Sequence, residues 1–272
     1  MVKLSPRGGD GHSRRAFMAL GVASLAAFPA ASAVPQAEWL GYEARLRSRL
    51  ADAGGGTFSG DVAARLLSLT NGVRAQAGAP ACAWSPELAR VASAHAADLA
   101  ERNYIGHTSP DGFEPSHRVA VLARRMIGSA SENIAFRQSS DPCGASEVMA
   151  IWRDSPAHWA TVLDPDHTCA GFGVVTRGQR TFAVGLYAAP SGELAGPLPF
   201  RLSRETDLTA AVTQASPHFE GYALADPAGG AGWRSPGAAG RLLQPGVYQL
   251  RPQRRLDARR YEVLWGPIFV KV

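Results

Sequence analysis

The stretch WSPELARVASAHAADLAERNY, Trp84 to Tyr104, runs into the loop IGHTSPDGFEPSH, Ile105 to His117, and sets the reading of the fold. Ser85-Pro86 is a helix start: serine accepts from the first free N–H groups, and proline has no N–H to lose at the next position. Leu88, Val91, Ala92, His95 and Leu99 then recur at helical spacing and share one face. His95 sits on that apolar face and reads as a core histidine. The loop beyond is dense in turn residues and carries His107.

Working outward, the same Ser-Pro start recurs in VMAIWRDSPAHWATVL, where Ser155 caps, Pro156 opens the helix and His158 is its third residue. Upstream, Ala37–Gly56 reads as a short charged helix ended by Gly54-Gly55-Gly56. Ser59–Gly78 reads as an amphipathic helix capped by Ser59 or Asp61 and stopped at Gly78. A short helix is expected near residues 118–127, before SENIAF, and a helical segment from Ala145. CAGFGVVTRGQRTFAVGLYAA is two apolar runs around Arg177-Gly178-Gln179, a hairpin signal. Helices with a small antiparallel sheet make an α+β domain over 59–190, after an N-terminal helical segment at 34–58. From Pro197 to Val272 short β-type runs separated by Gly and Pro predict a small all-β appendage.

The first 33 residues read as an export signal. SRRAFM resembles a twin-arginine signal, a mildly apolar run follows, and Ala31-Ser32-Ala33 is a small-residue cleavage site. The run from Phe17 to Ala30 is short for a bilayer crossing. The expected location is therefore the periplasm or the extracellular space, with no transmembrane span in the mature chain. This segment carries +3 of the formal net charge of +5, leaving +2. So small a charge gives no reason to expect nucleic-acid binding. RPQRRLDARR, residues 251–260, reads as a solvated turn between strands, with contact to anionic envelope polymers or lipid head groups as the other reading. Export permits a disulfide. Of Cys82, Cys143 and Cys169, the pair expected is Cys143–Cys169, with three free thiols as the alternative and Cys82 as a small buried hydrophobe.

No His-Glu-x-x-His, Cys-x-x-Cys, Gly-x-Ser-x-Gly or phosphate-binding glycine loop is present. What remains is a dispersed trio: His107, Glu132 and His158. Two imidazoles and a carboxylate suit a zinc ion with an open position, or an acid/base pair with an orienting group.

The ordered series Asn71, Arg74, Gly78, Trp84, Leu88, His107, Glu132-Asn133, Trp152, Ser155, His158, Gly171 and Gly173 resembles the CAP superfamily, the SCP or PR-1-like domain, in its bacterial secreted branch. The resemblance covers about residues 60–190 and implies a three-layer α-β-α sandwich. It also implies a central cleft where His107, Glu132 and His158 converge. Many eukaryotic members carry a second cleft glutamate three residues after the tryptophan; here that position is Ser155.

The resemblance implies a non-enzymatic binding module for an apolar or envelope-derived ligand, with a cleft of His107, Glu132, Ser155 and His158 able to hold a divalent metal such as zinc. The alternatives are a zinc-assisted hydrolase using the same residues and a structural envelope protein. The sequence leaves the oligomeric state open.

Overall fold

The computed structural model describes residues 34–141, 143–203, 206–227 and 244–272. The expected export signal, residues 1–33, lies outside them. In chain order the elements begin with α1 (Gln36–Asp52), β1 (Thr57–Phe58), α2 (Gly60–Gln76), β2 (Ala83–Trp84) and α3 (Pro86–Arg102). Next come α4 (Pro115–Leu122), β3 (Met126–Ile127), β4 (Ala130–Gln138), α5 (Ala145–Arg153) and α6 (Pro156–Leu163). The hairpin β5 (Cys169–Arg177) and β6 (Arg180–Ala188) leads to β7 (Gly192–Glu193), β8 (Arg201–Leu202) and α7 (Leu208–Thr213). The chain closes with β9 (Gly221–Ala225), β10 (Gly246–Arg255), β11 (Tyr261–Val263) and β12 (Ile268–Lys271).

Among the described residues, a sheet in the order β1-β5-β6-β4, with β2 paired to β5, forms the middle layer. Hairpin and sheet register follow the sequence: Arg177 faces Arg180 across the Gly178-Gln179 turn, and Gly178 takes φ +57. The sheet is buried on both faces, so β5 and β6 are almost continuously apolar. One face packs Val175, Phe182, Val184 and Leu186 against α1, α3 and α4. The other packs Phe172, Val174 and Tyr187 against α2, α5 and Trp152. This is the three-layer α-β-α arrangement.

Helix α3 lies flush on β5 because two glycines remove the side chains between them. A Cβ on Gly171 would sit 2.1 Å from the Ala89 nitrogen, and one on Gly173 2.2 Å from the Ser93 nitrogen. Ser85 caps α3 as expected, accepting from Leu88 N–H at 3.2 Å. Ser155 holds the N-cap position of α6, yet its side chain makes no cap bond; its backbone carbonyl accepts from Trp159 N–H instead. The helix expected near residues 118–127 begins earlier, at Pro115, and ends at Leu122. Met126–Ile127 pairs antiparallel with β7. Proline at the first helical position, after Glu114, sets that start.

The C-terminal region builds a second sheet, β11-β10-β12-β8 with β9 on β10, over its own apolar cluster of Leu194, Phe219, Leu250 and Phe269. A six-residue helix, α7, joins it. Arg124, 8 % exposed, ties this region to the first sheet's layers. It donates to the carbonyls of Ala120 and Val121 on one side and of Leu198 and Ile268 on the other. Burial pushes its pKa down to about 10.

The expected Cys143–Cys169 disulfide is not formed; all three cysteines are free. Cys143 belongs to the cluster on the α2/α5 face of the sheet, while Cys169 packs with the α1/α3 face. The layer between them keeps the two thiols apart. Burial raises the Cys169 thiol to about 11, so it is a poor nucleophile at neutral pH.

Candidate functional site

The site is built around Glu132 on β4. Extended backbone alternates side chains across the sheet, and Glu132, paired with Leu186, turns toward the end of α3 and the start of α4. Its side chain is only 2 % exposed. A buried carboxylate needs charge and hydrogen-bond partners, and here they come from two other segments.

The first is the loop after α3. Asn103 ends the helix in the left-handed conformation (φ 53, ψ 53), and its N–H returns to the Leu99 carbonyl. The Tyr104 hydroxyl donates to Asp98 at 2.9 Å, which fixes the exit of the chain. His107 then reaches Glu132, with Nδ1 2.9 Å from Oε1, while half of its side chain (50 %) stays exposed. Glu132 accepts, so Nδ1 carries a proton and Nε2 is the ring nitrogen left for another partner.

The second is α4, which supplies Arg118, a side chain 1 % exposed. Its Nη2 donates to both Glu132 oxygens at 2.9 Å and to the His107 carbonyl at 2.6 Å. Burial alone would raise the Glu132 pKa. The His107 hydrogen bond and the Arg118 charge outweigh it and hold the carboxyl below its ordinary value. Tyr42 of α1 stands behind Arg118. Its hydroxyl and Arg118 Nε are buried without a hydrogen bond of good geometry, yet burial and the facing guanidinium both act on the phenol, with burial dominant and its pKa raised.

His95, which the sequence places in the core, is fully buried, but it also belongs to this site: Nε2 lies 3.1 Å from the Gly106 carbonyl and 3.8 Å from Glu132 Oε1. Burial first, then the Arg118 charge, pushes its pKa down to about 3, so it is neutral. It donates through Nε2 and pins the loop that carries His107. Arg118 is a site residue that the sequence pattern does not single out. The one signal for it is a lone arginine in the apolar helix SHRVAVL, a residue type rarely buried without a partner.

His158 approaches from α6. The Asn133 side chain donates to its backbone carbonyl at 2.9 Å, tying α6 to the residue after Glu132. Burial, then repulsion from His107, lowers the His158 pKa. Arg74, fully buried on α2, holds the far end of α6. It donates to the carbonyls of Pro80, Val162, Asp164 and His167 at 2.7–2.8 Å. His107 and Glu132 therefore touch, and His158 lies within electrostatic reach of His107. Ser155 makes no described hydrogen bond to the three. A cavity of about 520 Å³ lies apart from these residues, between α4 and the C-terminal sheet, lined by His117, Met126 and Trp265.

The residues fit a zinc ion poorly. Glu132 already faces a buried cation that occupies both its oxygens, which leaves two imidazoles where an open zinc site uses three protein ligands. Among the described residues no group of three His, Cys, Asp or Glu side chains is arranged to hold a metal.

A family model described as the cysteine-rich secretory protein family, CAP, matches residues 67–187. Over these residues the chain is similar to that family. Two proteins of Bacillus subtilis (strain 168) are similar to it. The uncharacterized membrane protein YlbC is 30 % identical over 116 residues, 40 % of this chain and 30 % of YlbC. The uncharacterized protein YkwD is 29 % identical over 115 residues, 42 % of this chain and 43 % of YkwD. The chain thus spans less than half the length of these curated relatives. Among solved structures, an outer surface protein from Borrelia burgdorferi aligns with TM-score 0.45 and 20 % identity, covering 50 % of this chain and 99 % of that one. An extracellular SCP-domain protein from Bacillus anthracis str. Ames aligns with TM-score 0.40 and 23 % identity over 48 % of this chain and 41 % of its own. Helix α1, Tyr42 included, precedes the segment that the CAP model matches. No helix among the described residues is long and apolar enough to cross a membrane.

Proposed function

We propose that this chain is an exported CAP-domain binding protein. Its His107–Glu132–His158 site accepts a hydrogen bond from a hydroxyl-bearing, envelope-derived ligand and holds no metal. The observation that carries this reading is the 2.9 Å contact from His107 Nδ1 to a carboxylate clamped by Arg118. That contact orients the imidazole, half of which stays exposed, so Nε2 can accept from a ligand with little reorganisation. The paired arginines Arg14-Arg15 and the alanine-rich apolar run that follows them support export.

The test is mass spectrometry of small molecules extracted from natively exported protein, alongside His107→Ala and His158→Ala. A species enriched with the unaltered chain and lost from both variants, at unchanged melting temperature, is the expected result. No enrichment, or equal enrichment in the variants, overturns it. Elemental analysis that finds one zinc per chain overturns the metal-free part.

The same dyad favours a second reading. An imidazole oriented by a buried carboxylate has the geometry of a general base toward water. Turnover of an ester or amide probe that is abolished by His107→Ala would establish it; a rate unchanged by that substitution would dismiss it.

A further inference from the structure

We propose that the β10–β11 hairpin docks on the surface of a bilayer containing anionic phospholipid, because its tip sets Arg255 and Arg259 beside exposed Leu256 and Tyr261, with half-exposed Trp265 four residues further along the chain. This inference does not depend on the His107 site.

The register places Arg255 opposite Tyr261, Arg254 opposite Glu262 and Gln253 opposite Val263. Alternation then divides the hairpin. Leu250 and Leu264 point into the C-terminal core, at 0 % and 6 % exposure. The other face carries Arg251 stacked 3.6 Å over the Trp265 ring, and Arg255 5.6 Å over Tyr261. Leu256, Tyr261 and Trp265 are 56 %, 49 % and 49 % exposed, and they fall within ten residues of one another. The tip is fixed: Leu256 N–H donates to the Arg260 carbonyl at 2.9 Å, and the Asp257 carboxylate accepts from the N–H groups of Arg259 and Arg260.

The charges are also uneven. Arg254 pairs with Glu262 and Arg260 with Asp257, while Arg255 and Arg259 have no ion pair among the described residues. A purely electrostatic patch has no use for a half-exposed leucine and two aromatic rings, which cost free energy in water unless covered. Aromatic rings belong at the headgroup level of a bilayer, arginine stems lie along the apolar boundary, and the guanidinium meets phosphate. Each arginine near an anionic leaflet strengthens binding about fivefold. Positive charge with an apolar tip therefore fits an anionic membrane surface better than a soluble polyanion.

The test is co-sedimentation of the full chain with phosphatidylcholine vesicles and with an equal mixture of phosphatidylcholine and phosphatidylglycerol. The apolar run at residues 17–30 is common to every variant, so the readout is the difference between lipids and between variants. Binding is expected to favour the anionic vesicles and to fall with ionic strength. Neutralising both arginines (Arg255→Gln with Arg259→Gln) is expected to weaken it about 25-fold. Leu256→Ser is expected to weaken vesicle binding severalfold and leave binding to dextran sulfate unchanged. Equal binding to both lipids, an arginine variant that binds like the unaltered chain, or a Leu256→Ser variant with unchanged vesicle affinity overturns the proposal. Should a variant fold poorly, the salt titration of the unaltered chain decides the same question: anionic-vesicle binding that does not weaken with added salt overturns it.

Discussion

Replacing Arg118 with methionine isolates the charge that holds the site together. Methionine keeps an unbranched apolar stem but removes the donor of two bonds to Glu132 and one to the His107 carbonyl. Arg118 and Glu132 are 1 % and 2 % exposed, so the carboxylate, left with His107 alone as a hydrogen-bond donor, gains little from water. Breaking a pair buried this deeply costs about 3–5 kcal/mol. The pH dependence then separates the charge effect from lost packing. In the unaltered chain the Glu132 pKa is depressed, so its contribution is present above the unfolded value, about 4.3, and is lost as pH falls through the folded value. In the variant the His107 hydrogen bond remains, but burial meets less opposition and the folded pKa rises relative to the unaltered chain. The deficit between the two chains is therefore largest at neutral pH and narrows as acid protonates Glu132. Urea denaturation at pH 7.5 and pH 5 reads this directly, and other titrating groups cancel in the difference. Adding Glu132→Gln supplies the double-mutant cycle, and the double variant is expected to be no less stable than Arg118→Met alone. A deficit under about 1 kcal/mol, or one flat with pH and additive with Glu132→Gln within about 0.5 kcal/mol, would refute the reasoning.

His95 is neutral when folded, with a pKa near 3, and titrates at about 6.5 when unfolded, so its stabilising effect is intact above that value and drains away as pH falls toward 3; acid-titration melts of His95→Asn should show a shallower loss over that window. Gly173→Ala drives a methyl to 2.2 Å from the Ser93 nitrogen and is expected to cost about 3 kcal/mol or more, seen as a fall in melting temperature; an unchanged melt would mean α3 can lift off the sheet. Arg74→Lys keeps the charge but cannot span four carbonyls; an unfolding free energy lowered by about 3 kcal/mol in urea denaturation is expected, together with a shifted His158 imidazole resonance, and a change below about 1 kcal/mol would count against its role as a brace.

The layers were legible because local signals agreed with the tertiary outcome. Ser85-Pro86 starts α3 and Arg177-Gly178-Gln179 turns the hairpin, and neither depends on distant residues. His107, Glu132 and His158 were grouped only through family resemblance; spacing alone says nothing about residues from three segments, of which the structure brings His107 and Glu132 into contact. Arg118 and His95 escaped because an arginine and a histidine on a helix do not reveal their partners until the sheet places Glu132 beside them. The disulfide expectation failed for a related reason. The spacing of Cys143 and Cys169 carries no information about which side of β5 and β6 each thiol occupies. The start of α4 was within reach, since Glu114-Pro115 repeats the residue-then-proline pattern of the other helices.

Helix α1 has a practical bearing on how this molecule can be dissected. Asp98 is nearly inaccessible, and Arg45 and Arg49 of α1 and Arg102 of α3 all come within 4 Å of its carboxylate. Tyr42, a turn earlier, backs Arg118. Anyone trimming the chain to the family-matched segment that starts at residue 67 would therefore strip away two of the three cations around Asp98 and the phenol behind Arg118. An excised fragment of that kind should report the behaviour of a damaged scaffold, and assays of the minimal domain ought to begin no later than Pro35.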